Sequence, residues 1–119
     1  MTYRAPVDDI LFAMNQAGLL ARGIETGVYA DLADGVAEAI IEEAGKFAAE
    51  RLAPLNWIGD RHGTPFRDGK VTMPPGWAET YRDWAAAGWG SIVADPEFGG
   101  QGLPVLLNSA CTEMWNAAN

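Results

Sequence analysis

Residues 91–102 read Ser-Ile-Val-Ala-Asp-Pro-Glu-Phe-Gly-Gly-Gln-Gly, and a pattern typical of a helix follows from about Leu103. The order of a short apolar run, a glycine-rich loop and a helix is also that of a dinucleotide-binding turn. Gly100 and Gly102 match two of the glycines of that motif, but Val105 stands where the third is required. The motif is therefore incomplete.

The acidic residues of the loop argue further against a phosphate site. Asp95 and Glu97 would lie beside the incoming phosphates and repel them, and no βαβ unit fits into the residues that remain. We interpret Gly99, Gly100 and Gly102 as residues that allow the unusual backbone angles of a sharp turn between two helices. A loop that packs against another domain or against a ligand remains the alternative.

The N-terminal part of the sequence predicts one helix and a linker. Pro6 stands where a helix commonly begins, apolar residues follow at helical spacing, and Gly18 is a plausible stop. Residues 19–30 contain two glycines and are predicted to be a linker. We therefore divide the chain into an N-terminal extension over residues 1–30 and a helical domain over residues 31–119.

The longest predicted helix lies at the start of that helical domain. It begins near Asp31 or Asp34, either of which is a good N-cap, and it ends at Gly59. Pro54 either kinks this helix or opens a separate last turn. The predicted buried stripe is Leu32, Val36, Ile40, Ala44, Phe47, Ala48, Leu52 and Leu55.

Three further elements follow in the pattern. Asp68-Gly69 between two short runs predicts a small β-hairpin near residues 64–73. Pro74-Pro75 opens a third main helix, and a last helix begins at about Leu103 or Pro104 without a stop signal before the sequence ends. The aromatic stripe of the third helix (Trp77, Tyr81, Trp84, Ala85) and the apolar face of the last (Leu106, Leu107, Ala110, Met114, Ala118) are predicted to be core. The fold class is therefore mainly all-α, with about four helices and one hairpin.

Composition excludes several classes of function. The chain has 16 acidic and 8 basic residues and a net charge of −8, which disfavours nucleic acid and anionic membrane surfaces as partners. Asp8 and Asp9 interrupt the apolar stretch near the N-terminus, so we expect no signal peptide and a cytoplasmic protein by default. The sequence has five tryptophans, and we expect some of them to face a further domain or subunit.

No residue in the pattern qualifies as catalytic, cofactor-binding or metal-ligating. Cys111 lies on an apolar helical stretch and is predicted to be a buried small hydrophobe. His62 is the one histidine, and one Cys with one His supplies too few ligands for zinc. The acids Glu38, Glu42, Glu43 and Glu50 are predicted to form a solvated helix face.

Residues 97–104, Glu-Phe-Gly-Gly-Gln-Gly-Leu-Pro, resemble the loop Glu-Tyr-Gly-Gly-x-Gly of the acyl-CoA dehydrogenase family. The resemblance extends to the Gly-Trp step and apolar run of residues 87–92, to the acid in the helix at residues 111–114, and upstream to residues 42–48 and 52–56. Further matches resemble a bacterial subgroup, like methylthiopropanoyl-CoA dehydrogenase, that carries an extra N-terminal helix. They are Tyr3-Arg4-Ala5-Pro6, Asp68-Gly69 and Pro74-Pro75-Gly76-Trp77.

The resemblance implies the N-terminal part of a longer FAD-dependent flavoprotein of fatty acid metabolism. That enzyme would have a helical, a β and a second helical domain, bind an acyl-CoA thioester and an electron acceptor, and form a homo-oligomer. A carboxylate would remove the α-proton while a hydride leaves the β-carbon for the flavin. The resemblance places the base, most FAD contacts and the acyl pocket beyond Asn119, so catalytic, cofactor and metal residues are all assigned as none. The alternative is a stand-alone helical interaction module without enzyme activity.

Overall fold

The computed structural model describes residues 3–119, so the first two residues of the predicted N-terminal extension lie outside the described range. The chain is mostly helical and carries one two-stranded antiparallel hairpin, which confirms the predicted fold class. None of the helices in the described range is long and apolar enough to cross a bilayer. The elements are α1 (Val7–Ala17), α2 (Leu19–Glu25), α3 (Val36–Phe47), α4 (Ala53–His62), β1 (Phe66–Arg67), β2 (Lys70–Val71), α5 (Trp77–Ala86) and α6 (Val105–Ala118).

The segment predicted to be a linker after α1 is largely a second helix. Gly18 ends α1 in the left-handed conformation, as predicted, but α2 begins at the next residue. Glycine inside a helix costs about 1 kcal/mol relative to alanine, which is why the sequence argues against a helix here. The missing side chain of Gly23 lets the Tyr29 ring pack against the helix, because a Cβ at Gly23 would lie 2.5 Å from that ring.

The longest helix differs from its prediction at both ends. Neither Asp31 nor Asp34 caps α3, because the N-cap is Gly35 and no side chain bonds there. The helix also continues past Gly59 to His62. Between α3 and α4 the chain passes through a π-helical turn over Ala48–Leu52 rather than breaking at the proline.

The predicted apolar stripe of this helix is partly wrong. A strict four-residue repeat drifts around a helix that has 3.6 residues per turn. Val36, the first residue of α3, is accordingly 43% exposed. The buried positions of α3 and the turn are Ala37, Ile41, Ala44, Gly45 and Ala48, of which Ala44 and Ala48 belong to the predicted stripe. Leu55 is buried in α4, as predicted.

The centre of the fold is the contact of α6 with α3 and the π-turn. Leu107, Cys111 and Met114 of α6 have no exposed surface, and they lie in one cluster with Ile41 and Ala44. Near the N-terminus, the hydroxyl of Tyr3 donates a 2.9 Å hydrogen bond to the Met114 carbonyl, which fastens the N-terminal segment to α6. The predicted apolar face of α6 is thereby confirmed, except that Leu106 is only half-buried.

The predicted hairpin is present, with Asp68-Gly69 at its turn. Phe66 pairs with Val71 and Arg67 with Lys70. Asp68 and Gly69 both have positive φ angles, 51° and 76°, as a type I′ turn requires. The strand residues are all exposed, so the hairpin adds little to the core.

The glycine-rich loop before α6 is a tight turn, as predicted. Gly99 and Gly102 have φ angles of 82° and 62°. Gly100 is required for a different reason, because a Cβ there would lie 1.9 Å from the carbonyl oxygen of Ala94. The loop therefore folds back directly onto the backbone of the preceding turn.

The molecule is flat and has more surface than its size requires. Its Cα extents are 55 × 38 × 17 Å and its radius of gyration is 16.6 Å, whereas a compact domain of this length has about 13.5 Å. Its accessible surface is 7981 Å², compared with about 6,200 Å² for a compact monomer of this mass. Large apolar side chains contribute to this surface, among them Phe12, Tyr81 and Phe98, each more than 60% exposed.

Replacing Gly100 with alanine tests the tight loop. We expect Gly100→Ala to reduce the free energy of unfolding by about 3 kcal/mol, because the new Cβ forces the two backbone segments apart. Gly99→Ala is the control, since open space surrounds that position and only the positive φ opposes the change, at about 1–2 kcal/mol. Urea unfolding followed by circular dichroism measures both, and equal losses would contradict the close approach.

Candidate functional site

A groove lined by aromatic rings is the most distinctive surface feature of the described residues. It runs between α5 and α6 over the start of α4 and encloses about 480 Å³, within the range of small-molecule sites. We call it the tryptophan groove. It is lined by Leu52, Leu55, Trp77, Thr80, Tyr81, Trp84, Trp89, Gly90, Asn108, Thr112, Trp115, Asn116 and Asn119.

Trp115 holds the groove together at its base. Its Nε1–H donates a 3.3 Å hydrogen bond to the carbonyl of Ala44 in α3. Its ring meets Trp84 and Trp89 edge to face, at centroid distances of 5.6 and 5.4 Å, a geometry worth about 0.5–1.5 kcal/mol per pair beyond the buried area. The apolar face predicted for α6 does not include Trp115, although its spacing of four residues from Cys111 is that of the buried face.

The aromatic stripe of α5 forms one wall of the groove and is not the core face that the sequence predicts. Tyr81 is 67% exposed, and Trp77 and Trp84 are half-buried. The fully buried position of α5 is Thr80. Tyr81 stacks on Trp84 at a centroid distance of 6.1 Å, so the rings form a continuous surface that is open on one side.

The opposite wall, on α6, is polar but uncharged. Asn108, Thr112, Asn116 and Asn119 face the groove at helical spacing. The side-chain amide of Asn119 donates a 3.2 Å hydrogen bond to the Leu52 carbonyl in the π-turn. Among the described residues that line the groove, none carries a charge, so it offers nothing to neutralise a phosphate.

Trp77 closes the groove at the side of α4. Its ring lies on Gly59, where a Cβ would come within 2.6 Å of Cζ2. The Nε1 atom of Trp77 is buried and, within the described part of the chain, has no hydrogen-bond partner. A buried unpaired donor costs about 1–3 kcal/mol, so the present position of this ring is not an optimum for its N–H.

The glycine-rich loop lies apart from the groove and does not present an anion site. Its N–H groups bond within the loop and to the preceding turn: Gly100 to Asp95 O at 3.0 Å, Gln101 to Ser91 O at 3.0 Å and Gly102 to Ala94 O at 2.9 Å. The Asp95 carboxylate accepts from Glu97 N at 2.8 Å. An anion-binding loop needs free N–H groups, and these are occupied.

Cys111 is part of the core, and His62 lies alone on the surface. Cys111 is fully buried, as predicted, and burial raises the pKa of its thiol to about 11. His62 is exposed at the last position of α4. Within residues 3–119 no three His, Cys, Asp or Glu side chains gather in a way that would hold a metal ion.

The chain is similar over its whole length to an enzyme of known name. The chain is 37% identical over all 119 residues to 3-methylmercaptopropionyl-CoA dehydrogenase of Ruegeria pomeroyi, an acyl-CoA dehydrogenase. It spans about one fifth of the length of that protein. No protein-family model matches the chain.

Trp115→Phe tests whether Trp115 supports the groove. We expect a loss of about 2 kcal/mol in the free energy of unfolding, from the hydrogen bond and from weaker aromatic contacts. Trp57→Phe is the control, because Trp57 is 62% exposed and the Arg61 guanidinium lies over its ring at 4.4 Å. Its effect should stay within about 0.5 kcal/mol. Chemical unfolding measures both, and a neutral Trp115→Phe would remove Trp115 from this role.

The raised pKa of the Cys111 thiol predicts how the free energy of unfolding changes at alkaline pH. Burial raises the pKa of this thiol from its ordinary 9.0 to about 11, so the folded state holds the proton more tightly. Stability from this group is therefore complete below pH 9 and is lost as pH rises towards 11. The difference in unfolding free energy between the parent and Cys111→Ala should shrink over that interval, whereas a constant difference would contradict the shift.

Proposed function

Because this chain belongs to the acyl-CoA dehydrogenase family, we propose that it is the N-terminal helical part of a longer FAD-dependent enzyme that introduces an α,β double bond into an acyl-CoA thioester. The supporting observation is the 37% identity over the whole chain to a protein five times as long. The longer protein would be a cytoplasmic homo-oligomer that passes electrons to a separate acceptor.

The described residues do not themselves suit FAD or the nucleotide part of CoA. Both molecules carry phosphates, which bind at cationic side chains or free N–H groups. The tryptophan groove is lined by uncharged side chains, and the N–H groups of the glycine-rich loop are internally bonded. We therefore assign no cofactor or catalytic residue within this chain and derive no step of the reaction from it.

The role left to these residues is that of a scaffold. α3, the π-turn and α6 form a continuous apolar cluster that fixes the ends of α4 and α5. A rigid helical unit of this kind positions a site built from other parts of a protein. We propose that the chain supports the acyl-CoA site in this way and does not contact the reacting atoms.

Two proteins test this function side by side. One is the product of the reading frame as it continues beyond Asn119, and the other is the 119-residue chain. We expect the longer protein to contain flavin that absorbs near ~450 nm and to reduce an artificial electron acceptor with an acyl-CoA. The 119-residue chain should lack both properties.

The test uses straight-chain acyl-CoA thioesters and 3-methylmercaptopropionyl-CoA as substrates. The last compound is included because it appears in the name of the relative. A longer protein that holds no flavin and oxidises none of these thioesters would overturn the proposed function. Stoichiometric flavin on the 119-residue chain would overturn the placement of the cofactor elsewhere.

A further inference from the structure

The chain has more accessible surface than a compact monomer of its mass. The difference between 7981 Å² and the surface of a compact monomer of this mass is about 1,700 Å². One partner in a stable interface buries about 800 Å², so the excess is larger than one such contact. The tryptophan groove is a concentrated part of it, because Tyr81 and the half-buried rings of Trp77, Trp84 and Trp89 share one open surface.

The chemistry of the groove indicates the kind of occupant. An aromatic wall on α5 faces an uncharged wall of amides and a hydroxyl on α6. Aromatic rings favour apolar side chains, and asparagine amides donate to and accept from a peptide backbone or polar side chains. A polypeptide segment offers both kinds of group along its length, whereas a phosphate-bearing cofactor would find no cation among the described lining residues.

The position of the C-terminal end of α6 identifies which polypeptide is nearest. Asn116 and Asn119 in the last turn line the groove, and Asn119 is bonded to the Leu52 carbonyl at its base. Residues that follow Asn119 would begin at the groove itself. A short connection gives such a segment an effective concentration of the order of millimolar, far above that of a separate molecule in dilute solution.

We propose that the tryptophan groove is the docking site for the segment that follows Asn119 in the longer protein. This inference rests on the proposed function, because it requires the chain to be part of such a protein. Docking buries the exposed face of Tyr81, engages the amides of Asn108 and Asn116, and completes a core that α5 and α6 close on one side only. The groove is in this view an internal surface and not a substrate pocket.

Cysteine labelling in the longer protein tests the docking. Asn116 is exposed in the last turn of α6 and Asn15 is exposed on α1, so Asn116→Cys and Asn15→Cys form a matched pair. Cys111 is buried and unreactive, and serves as the folded-state reference. Neutral iodoacetamide reports the rate at each site by the mass of the labelled peptide. We expect Asn116→Cys to react at least about tenfold more slowly than Asn15→Cys, because labelling then requires the segment to open.

The 119-residue chain provides the reference, in which both cysteines should react at similar rates. Equal rates in the longer protein would overturn the proposal, as would a reading frame that stops after Asn119. Protection that disappears on dilution would also overturn it, since a second copy would then be the occupant. Tyr81→Cys on the opposite wall repeats the measurement should Asn116→Cys perturb α6.

The result separates this inference from the proposed function. Flavin and acyl-CoA oxidation with an open groove would leave the function standing and remove the docking. A protected groove in a longer protein without flavin or activity would leave the docking standing and remove the proposed function.

Discussion

The contact of Trp115 with Ala44 and the neighbouring rings is the interaction on which the arrangement of the helices depends. Its indole N–H reaches the α3 backbone while its ring supports Trp84 of α5 and Trp89 after it. Three parts of the chain that are far apart in sequence therefore meet at one side chain. Because Trp115 is almost fully buried, both its polar and its apolar groups are satisfied inside the protein.

The π-turn is the second constraint, and it follows from Pro54. Proline has no N–H, and in a regular α-helix its ring would clash with the carbonyl four residues earlier, at Glu50. The widened turn over Ala48–Leu52 contains that position. The Leu52 carbonyl at the end of the turn also accepts a hydrogen bond from the side-chain amide of Asn119, which links the π-turn to the end of α6.

The sequence was sufficient where a local rule and the tertiary structure agree. The Asp68-Gly69 turn, the loop glycines and the buried face of α6 are each dictated by backbone angles or by periodicity, and they were predicted correctly. The failures have tertiary causes. Gly23 argues against α2 until the packing of Tyr29 is known, and the exposure of Tyr81 depends on there being no helix against it. No periodicity rule distinguishes a core stripe from a stripe that awaits a partner.

The exposed aromatic stripe of α5 is the feature that bears most directly on function. A self-sufficient domain of this size would bury its aromatic stripe, whereas α5 presents Tyr81 to solvent across from a row of uncharged amides. Such a surface is costly to leave in water and is poorly suited to charged ligands. The same residues are well suited to a polypeptide that continues from α6. In the proposed arrangement two tasks are separate: α3, the π-turn and α6 build the frame, while the open face of α5 receives the segment that follows Asn119.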